Sequence, residues 1–198
     1  MSLTKGPGDK PGGGHVPGRS TPVLGFTLIE LLVTIAVLAI LIALAVPSFT
    51  SLINSNRLAA QSNEIVASLQ VARMEAVKQN RRTTICRSTA GNVCTAGAAG
   101  DTWTRWITYV DLDNSGGPAA GEVVRVNTAK VPVQVRSTAS ALTFRADGMV
   151  RDAAGTLVDN TFTVCIPTTQ PAKNKRVIGL ATGSRIAVTT PLGTGVCP

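Results

Sequence analysis

The sequence predicts an α+β protein in which one long, N-terminally hydrophobic α-helix packs on an antiparallel β-sheet or sandwich. Three observations predict it. Phe26 to Val46 form a 21-residue apolar stretch with no charge after Glu30, and about 20 such residues let a helix cross a bilayer core. Leu52, Ile53, Leu58, Ile65, Leu69, Ala72 and Ala76 then recur at three- and four-residue steps, the period of a helix with one apolar face. From Arg82 onward the chain breaks into short runs rich in Val, Ile and Thr, separated by Gly, Asn, Asp and Ser clusters.

Met1 to Leu24 are rich in Gly and Pro, carry Lys5, Lys10 and Arg19 against Asp9, and show no apolar periodicity, so they read as a disordered basic leader. A secretory signal would place its small-residue cleavage site after the apolar stretch. Here the candidate cut precedes the apolar run, so the hydrophobic helix is expected to stay with the mature protein. The chain divides accordingly into a leader (1–25), a transmembrane helix (26–47), an amphipathic continuation (48–82) and a globular β-rich domain (83–198). A helix running from Phe26 to about Asn80 would be on the order of 80 Å long, half of it a hydrophobic spine. Glu30 stands out, because a carboxylate inside a membrane helix is costly and marks function or a specific partner.

The expected strands are Thr83–Cys86, Trp106–Val110, Val123–Val126, Val131–Val135, Leu142–Phe144, Thr161–Cys165, Val177–Leu180 and Arg185–Thr189. A chain of 198 residues can bury one core of ordinary size. Aromatics make up only 4% of it, which predicts a core of many small β-branched contacts rather than a few large rings. The net charge of +8 would suit an anionic partner, but charge speaks to association and not to fold.

Cys86, Cys94, Cys165 and Cys197 all follow the hydrophobic segment, where an exported domain meets an oxidising compartment, so disulfides are expected. Four cysteines allow three pairings. Cys86–Cys94 as a short clip and Cys165–Cys197 as a tie for the C-terminus are preferred, and the sequence does not decide among the three. Zinc is not expected: no Cys-x-x-Cys occurs, and the one histidine, His15, lies in the leader. Asp111-Leu112-Asp113-Asn114-Ser115-Gly116 with Glu122 has the oxygen-ligand spacing of a calcium loop. Pro118 stands where such loops have an apolar residue and the flanks are strands, so a hairpin turn is the preferred reading and no metal is expected. Catalysis has no footing, since no Ser or Cys has an evident base and no Gly-rich phosphate loop follows a strand. The chain reads as non-enzymatic and without cofactor.

Gly25-Phe26-Thr27-Leu28-Ile29-Glu30-Leu31-Leu32-Val33 resembles the type IV prepilin motif, and Pro47 falls where that family usually has a helix-kinking proline. The resemblance implies that a prepilin peptidase cuts between Gly25 and Phe26, that the new amine is N-methylated, and that Glu30 pairs with a neighbouring subunit's N-terminal amine. Two charges buried together each lose part of their desolvation penalty. It also implies a type IV pilin fold in a bacterial inner-membrane protein, single-pass, with the globular domain in the periplasm until assembly. Basic residues before the helix fit that orientation.

The rest of the chain is similar to the GspH/FimT family, which holds minor pilins of type IV pili and a minor pseudopilin of type II secretion. The likeness rests on Ala72-Arg73-Met74-Glu75-Ala76-Val77, Ile85-Cys86-Arg87-Ser88 with Cys94, Trp103 and Trp106 before Tyr109-Val110-Asp111, and Phe144-Arg145-Ala146-Asp147-Gly148. It implies a minor pilin (FimT/FimU-like) acting in pilus assembly or initiation, with a type II secretion pseudopilin H as the alternative. The expected partners are other pilins or pseudopilins, the prepilin peptidase and the inner-membrane assembly machinery. Some relatives bind DNA in natural transformation through a C-terminal Gly-Arg-x-Arg element. This chain has Gly183-Ser184-Arg185-Ile186 there, so Lys173, Lys175, Arg176 and Arg185 are the candidate phosphate contacts of a DNA-receptor module at a pilus tip.

Overall fold

The computed structural model describes residues 25–152 and 154–198. The leader up to residue 24, with His15, lies outside them. Helix α1 spans Leu28–Gln79, and both its ends follow from local sequence. Thr27 is the N-cap: its Oγ1 accepts from the Glu30 N–H at 3.2 Å, with Glu30 at the third helical position of a capping-box pattern. At the other end Asn80 adopts φ 52°, the Asn80 N–H donates to Val77 O and the Arg81 N–H to Ala76 O. That is the Schellman closure, with Asn in the place glycine more often takes.

The chain divides into two compact units between Leu41 and Ile42, inside α1. In the first unit every described side chain is exposed. The second unit holds the rest of α1 and eight strands: β1 (Thr83–Ser88), β2 (Arg105–Val110), β3 (Val123–Thr128), β4 (Gln134–Ser137), β5 (Ala141–Phe144), β6 (Asn160–Cys165), β7 (Lys175–Ala181) and β8 (Arg185–Thr189). They form two antiparallel four-stranded sheets, ordered β3-β2-β1-β5 and β4-β6-β7-β8. The expected fourth strand begins three residues late. Pro132 has no N–H for a ladder, and Val133 N instead closes a turn on Lys130 O.

One core joins the two sheets to α1. Leu58, Ile65, Leu69, Ala72 and Ala76 pack against Ile85, Trp106, Leu142 and Phe144 of the first sheet and Val135, Phe162, Val164, Ile178 and Leu180 of the second. The apolar stripe docks only from Leu58: Leu52 and Ile53 remain 57% and 47% exposed. The expectation of a core without large rings is corrected. Trp103, Trp106, Tyr109, Phe144 and Phe162 are all fully buried, and Trp103 meets Phe162 edge to face at 5.1 Å. Composition counts residues over the whole chain, whereas a few rings placed centrally fill the volume of many small side chains. Polar groups on the inner helix face are matched: Trp106 Nε1 donates to Ser68 Oγ at 3.0 Å, Lys130 N to Gln61 Oε1, and Glu64 receives Arg125 and Asn127 of β3.

Candidate functional site

The first candidate lies at the start of α1. Gly25 and Phe26 precede the N-cap and are exposed, Phe26 at 83%. A Cβ on Gly25 would meet nothing within 4 Å, so the fold of the described residues does not itself require glycine there. Glu30 sits in the first helical turn, where the helix dipole favours a carboxylate, and among the described residues no cation pairs with it. Residues 25–44 are all exposed, among them Leu28, Ile29, Leu31, Leu32, Val33 and Ile35. A stretch so apolar and so bare needs a non-aqueous or protein surround. Pro47 lies inside α1 and withholds an N–H from the helix ladder, while Thr50 Oγ1 donates to Pro47 O at 2.9 Å.

Just past Pro47, the loop between β6 and β7 grips α1. Asn54 Nδ2 donates to Gln170 O at 2.9 Å, Thr50 Oγ1 meets Gln170 Oε1 at 3.2 Å, and Arg176 Nη2 donates to Ser55 Oγ at 3.3 Å. The C-terminal tail closes over this loop. Cys165 is bonded to Cys197, and the Gly193 N–H donates to Ala172 O. Cys86 and Cys94 form the second disulfide, with Cα atoms 5.6 Å apart. Sequence reasoning missed the loop's grip on the helix, because Thr50, Asn54 and Gln170 carry no motif and are far apart in the chain.

The basic candidates are not brought together. Lys175 and Arg176 open β7, whereas Arg185 pairs with Ala181 at its far end, so the β7 ladder separates them by several residues. Arg176 is also engaged, with Nη1 donating to Lys173 O and Lys175 O. Ser184, which occupies a position of the expected arginine-bearing element, is buried: its Oγ accepts from Val150 N at 2.8 Å and its carbonyl receives Arg73. An arginine could not replace it without opening this contact. An arginine group the sequence reading did not single out lies elsewhere, where Arg81, Arg82, Arg145 and Arg151 line a cleft of about 980 Å³ beyond the end of α1.

The acidic loop between β2 and β3 is ordered by its own carboxylates. Glu122 is buried; its Oε1 accepts Leu112 N at 2.7 Å and Asp113 N at 3.3 Å, and its Oε2 accepts Ala119 N at 2.8 Å. Asp111 Oδ2 pairs with Arg82 Nη2 at 2.8 Å. Bonds from the Ser115 hydroxyl and backbone N–H hold the Asp113 carboxyl below the usual carboxylate range. Burial pushes the Tyr109 phenol up, and Asp111 and Glu122 add to the shift. Tyr109 OH donates to Gly116 O at 2.9 Å, so the loop also covers the outer cluster of Cys86, Ile107 and Tyr109.

Residues 61–183 match the family described as type II transport protein GspH, and residues 23–46 match the prokaryotic N-terminal methylation motif. Among curated proteins, no sequence matches the chain. Among solved structures, the chain is similar to the type IV minor pilin FimU of Pseudomonas aeruginosa at 22% identity. One crystal form covers 67% of this chain and 92% of that one with a TM-score of 0.47, and a second covers 71% and 91% with 0.48. It is also similar to the minor pseudopilin EpsH of the Vibrio cholerae type 2 secretion system, at 11% identity, with 68% of this chain and 98% of that one covered and a TM-score of 0.48.

Proposed function

The chain belongs to the GspH family of minor pilins and pseudopilins, and from that membership we propose that it is a minor pilin built into the assembly or initiation complex of a type IV pilus. The family is one of structural filament subunits, which are not enzymes. The observation that carries the proposal is the exposed apolar stretch of α1 from Leu28 to Leu44, with Glu30 in its first turn and no cation paired with it among the described residues. Prepilin peptidase removes the leader after Gly25, and the amine of Phe26 becomes both the methylated terminus and the group that a neighbouring subunit's Glu30 meets. Until assembly the helix is held in the inner membrane with the globular domain on the periplasmic side, where the disulfides form. In the filament, other pilins replace lipid around the same surface. The pairing of Glu30 with an amine then lowers the cost of placing either charge in an apolar surround.

A pseudopilin of type II secretion would use the same residues in the same way, and the two readings differ in the machine and not in this chain's chemistry. DNA reception draws less support, because Arg176 is tied to its own loop and Arg185 lies at the other end of β7. The test of the assembly reading is Glu30→Val in cells carrying the pilus machinery. Insertion into the inner membrane is expected to be unchanged and recovery in sheared filaments to fall several-fold. Recovery equal to that of the unaltered chain would remove the charge pairing from the account.

A further inference from the structure

The loop between β2 and β3 has the sequence spacing of a calcium loop, and the sequence alone favours a plain turn. The structure adds two independent facts. A carboxylate oxygen from each of Asp111, Asp113 and Glu122 lies within 4.8 Å of the others. Asp111 is only 2% exposed, and its Oδ1 is buried without a hydrogen-bond partner among the described residues, although Oδ2 is satisfied by Arg82. A buried acceptor left without a donor is unusual in folded proteins and implies a group that completes it.

We propose that Asp111, Asp113 and Glu122 bind a calcium ion and that this ion fixes the loop over the outer face of the first sheet. The lone-pair count supports it. Each ionised carboxylate has about four acceptor positions. Three of Glu122's are taken by Leu112 N, Asp113 N and Ala119 N, which leaves one on Oε2. Asp113 Oδ1 accepts from Ser115 N, and the side chain is exposed to solvent. Asp111 keeps Oδ1 whole. Three carboxylates whose oxygens approach within 4.8 Å, one of them keeping a buried and unpartnered oxygen, stand against the single positive charge of Arg82 and give a net negative cage of hard oxygen donors. That chemistry selects a divalent cation that accepts irregular coordination with water or loop carbonyls in its remaining positions, which is calcium in preference to magnesium with its strict octahedron. Because the carboxylates are already ordered by the loop's amides and by Arg82, little rearrangement stands between the free and bound forms. A dissociation constant in the range of extracellular modules, about 10⁻⁴–10⁻³ M, is expected.

The test uses the full-length chain in detergent micelles, with calcium chloride titrated after removal of divalent ions by chelator. At calcium about ten-fold above its dissociation constant the unfolding midpoint is expected to rise by roughly 3–6 °C, and magnesium at the same concentration is expected to leave it unchanged. Asp113→Asn changes an exposed side chain and should keep the chelator-treated midpoint. It is expected to weaken the calcium response by at least the roughly ten-fold that follows the loss of a residue that only orients a ligand. Tyr109-sensitised terbium luminescence, reversed by calcium and lost in D113N, is the independent readout. No calcium shift up to about 10 mM in the folded wild-type chain, an equal response to magnesium, or a response retained in D113N would each overturn the proposal.

Discussion

Two stretches of the same helix face opposite conditions. Between residues 28 and 44 α1 is apolar apart from Glu30 and Thr34 and wholly exposed, whereas between Leu58 and Ala76 it is amphipathic with one buried stripe. The second stretch is satisfied by its own chain: Ser62 and Ser68 return their hydroxyls to Leu58 O and Glu64 O, and Trp106 and Asn127 of the first sheet and Lys130 of the loop after β3 reach the inner face. The first stretch is satisfied by nothing in the described residues. An element whose apolar surface exceeds what its own domain can cover is built for a surround supplied from outside, first lipid and then other subunits.

The sharpest way to break this comparison is to remove one large apolar group from each stretch. Leu69→Ala should cost about 2–5 kcal/mol of domain stability, read as a lower chemical-unfolding midpoint. Leu38→Ala, in the exposed stretch, should leave that midpoint unchanged and act only on incorporation into filaments. Equal losses would mean that the first stretch is buried against its own chain.

The disulfides sharpen the contrast on the side of the globular unit. Replacing Cys165 and Cys197 by Ser opens a closure of 32 residues and should cost about 2–4 kcal/mol, more than opening the 8-residue closure of Cys86–Cys94. Thermal unfolding of the two double variants ranks them. Gly193→Ala should come next. Its Cβ would overlap Asn174 Oδ1, so the Asn174 bond to Ile166 O must yield, at about 1–3 kcal/mol by denaturant unfolding.

The smallest effect is that of Asp147, whose carboxyl is held low by the Met149 N–H and by Arg151. A depressed folded pKa contributes stability that is present above the ordinary carboxylate range and is lost as pH falls through the folded value. Asp147→Asn should therefore lower stability at neutral pH slightly, by a few tenths of a kcal/mol for an exposed pair, and leave it unchanged in acid, so that the acid loss of stability narrows by the same amount.

Much of this was legible in the sequence for physical reasons. The apolar run from Phe26 and the 3.6-residue period after it mark the helix, and β-branched runs between turn residues mark all eight strands, because both signals are local. What depends on distant contacts was not legible. The failure of Leu52 and Ile53 to dock reflects where the sheets end, the grip of Gln170 on Thr50 and Asn54 joins residues far apart in the chain, and the split of Lys175 and Arg176 from Arg185 follows from strand register. Glu122 and Asp111 could be placed in one spacing from sequence. The unpartnered oxygen could not.

The central claim is that the exposed stretch of α1 becomes the mature N-terminus, and intact-mass and N-terminal peptide mass spectrometry on the chain coexpressed with a prepilin peptidase tests it most directly. The account predicts a chain that begins at N-methylated Phe26 and is four hydrogens lighter than its reduced form because both disulfides are closed. A chain that keeps residues 1–25 in the presence of active peptidase would contradict it and leave a membrane-anchored β domain with no role in a filament.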